Sequence, residues 1–218
     1  FSRRVVSGAK HVRRYDSRMR QEAALRAIPV SRLFREAVEL VGEGREAGLR
    51  WAMVLLRRLA HFFKHEFFEW VNAPACEHCG AETRGVGAEE PSAEERSRLL
   101  SSVVELYECG SCRRRTRFPR INEPMELLKT RKGRCGEWSN CFALLCIALG
   151  LETRHVHDWT DHVWVEVRHW ARSRWVHVDP CEEAVDTPLL YEQGWGKNCT
   201  NVISLGRDAC VDVSRRYS

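Results

Sequence analysis

Apolar positions recur at two different spacings along the chain, and the change of spacing divides it. Over residues 12–72 the pattern is helical: a charged stretch rich in Ala, Leu, Arg and Glu breaks at VGEGREAG and resumes in WAMVLLRRLAHFFKHEFFEWV. That second run keeps a helical period until Asn72-Ala73-Pro74, where proline stops further helix. In GRCGEWSNCFALLCIALG, Trp138, Phe142, Leu145 and Leu149 fall on one stripe of another helix. Cys141 and Cys146 flank that stripe and read as core, whereas Cys135 lies between Gly133 and Gly136, where the chain enters the helix. MELLKTR predicts a short helix just before it, and VVELYEC a strand further upstream.

From about Arg154 the period shortens to two. In DHVWVEV, Val163, Val165 and Val167 share a core face, and His162, Trp164 and Glu166 share the other. In RWVHVDP, Val176 and Val178 form the core face while Trp175, His177 and Asp179 point away. The short connection HWARSR predicts that these two strands are antiparallel neighbours, and NVISLG and ACVDVS read as further strands. Helices first and strands later predict an α+β fold.

Two C-x-x-C pairs interrupt this pattern: Cys76 with Cys79 and, after twenty-nine intervening residues, Cys109 with Cys112. Each pair can chelate from a tight knuckle, and four thiolates complete a tetrahedron, so one structural zinc is expected. Redox use of either pair is the weaker rival, and His78 is a bystander beside four cysteines. The polar GVGAEEPSAEERSRL between the pairs reads as a surface loop.

Composition, 44% hydrophobic and 30% charged, is ordinary for a globular chain. No apolar run reaches the length of a membrane span, and no hydrophobic stretch of signal-peptide type opens the sequence. The chain begins at Phe1 rather than Met, as a fragment would. Residues 1–58 carry fourteen Lys and Arg against six Asp and Glu, an excess larger than the whole chain's net charge of +5. Without interleaved aromatics this reads as a solvated helical face more than a nucleic-acid patch. Ten cysteines, four with metal spacing and the rest in apolar or site-like contexts, fit a reducing compartment better than a secreted one. The sequon Asn198-Cys199-Thr200 is then accidental.

The strand faces return attention to Cys135. A hairpin of the two strands places His162 beside Asp179 on a polar, aromatic face, and tryptophans are costly to leave on a solvated one. A cysteine at a helix N-terminus sees unpaired N–H groups and the positive end of the dipole, which favour a thiolate. Cysteine, histidine and aspartate then make a complete set of nucleophile, base and orienter.

TRFPRINEPMELLKTRKGRCGEWSNCF, followed by DWTDHVWVEV, HVDPCEE and LLYEQGWGK, resembles the cytoplasmic peptide:N-glycanases, members of the transglutaminase-like superfamily of Cys-His-Asp enzymes. With HFFKHEFFEWVNAPAC and the two C-x-x-C pairs, the resemblance covers roughly residues 51–218. It implies a papain-like core of a cysteine-bearing helix packed on an antiparallel sheet, with a zinc lobe as one wall of the cleft. Residues 1–50 would be a basic helical segment, 51–115 the helical and zinc-binding lobe, and 116–218 the catalytic core. Cys135, His162 and Asp179 match the family's catalytic positions, and Trp164, Glu166 and Glu182 match those that bind the chitobiose core of a glycan. The implied activity is removal of N-linked glycans from misfolded glycoproteins through a thioester, converting Asn to Asp, in the cytoplasm. In simpler members a helix near the N-terminus helps dock a ubiquitin-shuttle protein. A transglutaminase would share the triad and use an amine in place of water. DNA-damage recognition proteins with this fold have lost the catalytic residues, so the intact set argues against a nucleic-acid module.

Overall fold

The computed structural model describes residues 2–42, 47–169 and 173–218. Parts of the predicted break VGEGREAG and of the connection HWARSR lie outside the described residues. Four helices open the chain: α1 (Ser2–Val12), α2 (Arg18–Ala27), α3 (Val30–Val41) and α4 (Ala47–Phe62). The helix expected to run on to Val71 stops sooner. It widens into a π-type turn at Phe63–Phe67, and Glu69–Trp70 is extended as β1. Tertiary partners cause the change. Phe63 lies on Phe68 with centroids 5.1 Å apart and meets Trp138 and Phe142 edge-on at 5.4 and 5.2 Å. Beyond them the Glu69 N–H donates to Arg131 O at 2.8 Å and the Val71 N–H to Gly133 O at 3.0 Å, so the backbone must be straight there. β1 pairs in parallel with β5 (Lys132–Gly133).

The helix that begins at Cys135 is α7 (Cys135–Ala148), and it is the centre of the molecule. Every residue from Glu137 to Cys146 is buried, so the predicted stripe widens to the whole circumference, as for any helix wrapped by protein. Against one side lies an antiparallel sheet of β6 (Thr153–Asp158), β7 (Val163–His169), β8 (Arg174–Asp179), β9 (Ala184–Val185), β10 (Val202–Leu205) and β11 (Cys210–Asp212). The spatial order is β11-β10-β6-β7-β8-β9. Against the other side pack α2 and α6 (Pro124–Thr130), the latter begun by a proline at its first position.

Register confirms the alternation argument. Val165 faces Val178 and Val167 faces Val176 across β7 and β8, and these valines share one buried cluster with Phe142, Leu55 and Phe63. Trp164, Glu166, His177 and Asp179 therefore take the opposite face. That face is not a cleft. Trp164 packs with Val156, Tyr191, Cys199, Val202 and Tyr217 into a second small core that the C-terminal segment closes.

The cysteine pairs flank a separate three-stranded sheet of β2 (Thr83–Glu89), β3 (Val104–Cys109) and β4 (Arg115–Pro119). The region expected to be a surface loop thus holds a strand and a short helix, α5 (Ala93–Arg98). β2 is exposed along nearly its whole length and bulges between Gly85 and Gly87, so it leaves no alternating pattern to read. α5 was legible: Ser92 and Glu95 form a capping box, with Ser92 N–H to Glu95 Oε2 at 2.7 Å and Glu95 N–H to Ser92 Oγ at 3.1 Å.

Charged groups join this sheet to α7. Glu137, on the first turn of α7, accepts from Arg120 Nε at 2.6 Å and Nη2 at 2.7 Å, and from its own helix's Arg134 N–H at 3.1 Å. Arg120 also reaches Glu105 of β3 at 3.1 Å, and Arg134 donates to the same carboxylate. A Cβ on Gly133 would meet Glu137 Cβ at 2.4 Å and Cγ at 2.7 Å. Gly133→Ala is therefore expected to lower stability by about 1–3 kcal/mol through overpacking, measured as the midpoint of urea unfolding; an unchanged midpoint would show that the contact relaxes at no cost.

Candidate active site

α7 delivers Cys135 as its first residue, half-buried, with Sγ 4.0 Å from the carbonyl oxygen of Asp161. His162 comes from the tight turn between β6 and β7, where Asp158 N–H donates to His162 O at 2.9 Å. Lys197 holds the front of that turn through Asp158 at 2.9 Å and through Asp161. Ser139 Oγ, one turn into α7, donates to Val163 O at 2.8 Å and fixes helix and strand in register. Asp179 ends β8.

Of the three side chains expected to act together, His162 and Asp179 are in direct contact, and Cys135 lies beside the turn that carries His162. His162 Nε2 lies 2.7 Å from Asp179 Oδ2, and the Cys135 side chain is near enough to help raise the same imidazole's pKa. With Nε2 committed to Asp179, Nδ1 is the nitrogen left to accept or return a proton. Asp179 is wholly buried and accepts three hydrogen bonds: His162, the Tyr191 hydroxyl at 2.9 Å, and the Cys181 N–H on Oδ1 at 2.9 Å. Burial by itself would raise its carboxyl; hydrogen bonding by His162, the imidazolium charge and Tyr191 outweigh that and lower it. Burial likewise pulls His162 down, but Asp179 and Cys135 push it up to about 9. His177 behind them goes the other way, to about 4, because burial dominates. As a neutral donor its Nε2–H reaches Tyr191 Oη at 2.8 Å, so the hydroxyl proton is left for Asp179.

Sequence reasoning missed Tyr191 and Trp70. Tyr191 and Trp195 stand four apart on the turn around Leu190–Gly194, and each meets the His162 ring edge-on at 5.1 Å. Their helical spacing in LLYEQGWGK was the available signal. Trp70 and Trp195 remain 44% and 45% exposed and flank a cleft of 530 Å³ whose wall includes His162, Cys181 and Glu182. Past Trp70 this opens into a groove of 850 Å³ along Phe67 and Arg131.

Of the three residues expected to contact a sugar, only Glu182 lines the cleft. Trp164 and Glu166 have no exposed surface, which corrects the expectation of direct contact. Trp164 is walled in by Tyr191 and Tyr217, with centroids 4.5 and 4.7 Å away. Glu166 is held by Arg154 at 2.5 Å, Arg216 at 3.0 Å and Tyr217 at 2.8 Å. A cleft face was inferred from alternation and its tryptophans, but the C-terminal residues cover it.

Cys76, Cys79, Cys109 and Cys112 also converge, with all four sulfurs within 4.8 Å of one another and the pairs Cys76–Cys112 and Cys79–Cys109 at 3.5 Å. A tetrahedron with metal–sulfur bonds of about 2.3 Å has edges near ~3.8 Å, so the cluster fits a metal ion with little adjustment. The Cys112 N–H points at Cys109 Sγ at 3.4 Å and helps draw that thiol down to about 6. Cys79 rises to about 12: the Ala81 N–H favours its thiolate, and the three neighbouring sulfurs overcome that.

Residues 81–180 match the sequence profile of the transglutaminase-like superfamily. The chain's relatives are peptide-N(4)-(N-acetyl-beta-glucosaminyl)asparagine amidases. The chain is 45% identical to the one from Rattus norvegicus and 44% identical to the one from Homo sapiens, each over 98% of its length. It is 40% identical to that of Arabidopsis thaliana over 100%. It spans about a third of these relatives: 34%, 33% and 30% of their lengths. In overall shape it is similar to a Rad4/XPC nucleotide excision repair complex chain, with a TM-score of 0.60 at 15% identity over 98% of this chain and 47% of that one. Among the described residues no helix is long and apolar enough to cross a membrane.

A raised imidazole pKa gives a signed pH dependence. The His162–Asp179 pair contributes its full stability below the ordinary histidine value of 6.5 and loses it as pH climbs towards about 9. The lowered Asp179 carboxyl adds a loss only in acid. The stability gap between wild type and His162→Gln in urea unfolding is expected to narrow across that alkaline window; a gap independent of pH there would contradict the pairing.

Proposed function

We propose that this chain is the catalytic segment of an amidase that removes N-linked glycans from misfolded glycoproteins. The observation that carries this reading is the buried Asp179 carboxylate holding His162 at 2.7 Å, with Cys135 nearby at the mouth of α7. Kinship with the named amidases supplies the substrate class. Cys135 Sγ attacks the carbonyl carbon of the glycosylated asparagine side chain, and its proton passes to His162 Nδ1. The Cys135 N–H, free at the helix start, meets the oxyanion. His162 protonates the departing glycosylamine nitrogen, leaving a thioester on the peptide. Water, giving a proton to His162, then cleaves the thioester and leaves aspartate and the free thiol. Two smaller barriers replace one large amide hydrolysis. Throughout, Tyr191 and the Cys181 N–H keep Asp179 ionised and aimed at Nε2, so the imidazole need not reorient between steps. Trp70 and Trp195, which flank the cleft, offer flat faces for sugar rings, and Glu182 a carboxylate for their hydroxyls.

In this reading residues 116–218 form the catalytic core, 51–115 the metal-bearing lobe that walls the cleft, and 1–50 a helical buttress. The four thiolates hold one structural zinc that staples the knuckles at 76–79 and 109–112. A cytoplasmic, reducing location and docking of a ubiquitin-shuttle protein on the N-terminal helices complete the assignment, both resting on the family resemblance.

Cys135→Ala is expected to reduce release of free oligosaccharide from denatured glycoprotein by roughly a thousandfold or more, with no effect on the melting temperature. Wild-type turnover in that variant, or incorporation of a labelled amine into casein in place of oligosaccharide release, would overturn the reading. Cys109→Ser is expected to lose the zinc, counted by plasma mass spectrometry, and to open the three-stranded sheet to limited proteolysis. Undiminished protection would show that no metal staples that sheet.

A further inference from the structure

A second group of metal-ligating side chains lies away from the four cysteines. His61 and His65 stand one turn apart where α4 passes into its π-type turn, with ring centroids 4.6 Å apart. Facing them is Glu183, from the loop 180–183 that closes the β8–β9 hairpin just after Asp179. One carboxylate oxygen of Glu183 lies 2.8 Å from His61 Nδ1 and the other 2.7 Å from His65 Nε2. The three ligand atoms fall within 4.8 Å of one another.

From this convergence we propose that His61, His65 and Glu183 form a binding site for a divalent transition-metal ion, Zn²⁺ in the first instance. Two imidazole nitrogens and one carboxylate oxygen are the donor set that zinc takes when one position is left to water, and copper and nickel accept the same atoms. Hard alkaline-earth ions, which want oxygen, are disfavoured. Bonds of about 2.0–2.2 Å to a shared ion put neighbouring ligand atoms roughly 3.3–3.5 Å apart. The N···O pairs must open by about half an ångström, which side chains 43%, 50% and 32% exposed can do. That exposure also gives the ion an entry path and a water ligand. The ion would tie the end of α4 to the loop whose Cys181 N–H bonds Asp179, and so stiffen the hairpin that aims His162.

A hydrogen-bonded trio without an ion is the competing account, and metal counting separates the two. The full chain is used in a Cys135→Ala background, so that the cleft thiol does not compete for metal. Titration with Zn²⁺ is expected to give two bound equivalents per chain, the weaker one raising the melting temperature. His65→Gln and Glu183→Gln, both at exposed positions, are each expected to weaken that second equivalent by roughly tenfold or more and to abolish the thermal shift, while the first equivalent stays. Co²⁺ in the second site should show weak visible bands without thiolate charge transfer. A single equivalent in the parent, a second equivalent that both variants retain, or thiolate charge transfer from the second Co²⁺ would each overturn the proposal.

Discussion

The buried carboxylate of Glu137 governs where everything else sits. It caps its own helix at Arg134, takes the two-pronged grip of Arg120, and through Arg120 and Arg134 is coupled to Glu105 on the three-stranded sheet. A buried ion pair of this kind contributes little net stability compared with a well-packed apolar group, but loss of one partner strands a charge and is costly. Its value is positional. It fixes the start of α7 against the sheet, and the start of α7 is where Cys135 lies. The crowding of Gly133 against Glu137 is a consequence of the same constraint, since only a residue without a Cβ lets the carboxylate fold back over the helix entrance.

Around that anchored helix the remaining parts of the site arrive from three independent elements. The turn after β6 carries His162, the end of β8 carries Asp179, and the turn around Leu190–Gly194 carries Tyr191 and Trp195. None of these holds the others directly in the chain. What aligns them is hydrogen bonding in a dry environment, where Asp179 is wholly enclosed and each bond to it is correspondingly strong. Tyr191 does double work: its ring closes the second core over Trp164, and its hydroxyl joins His177 to Asp179. The packing that stabilises the outer face of the sheet is thereby the same packing that keeps a carboxylate ionised in the interior.

The backbone and the side chains it carries are separate matters in this fold. The chain resembles a DNA-repair protein in overall shape at 15% identity, which speaks of the backbone alone. The proposed chemistry depends on side chains at three positions that a shared backbone does not dictate. His61, His65 and Glu183 make the same point on a smaller scale, because a helix end and a hairpin loop meet there whatever residues they carry.

Much of this was written locally in the chain. The C-x-x-C knuckles fix their own ligand geometry, the two-residue period of DHVWVEV and RWVHVDP fixes which side chains share a face, and the glycines around Cys135 mark a helix start. Each of these depends on neighbours within a few residues, so the sequence alone determines them. It could not determine what lies across a face. Trp164 and Glu166 stand beside His162 as the alternation requires, yet Tyr191, Arg216 and Tyr217 arrive from far along the chain and bury them. Phe63 to Phe68 read as helix until contacts with Trp138 and Phe142 and bonds to Arg131 and Gly133 straighten the backbone. Local pattern sets the direction of a side chain; only the tertiary fold decides whether water, substrate or another part of the protein waits there, because burial is a property of long-range contacts that no short stretch of sequence contains.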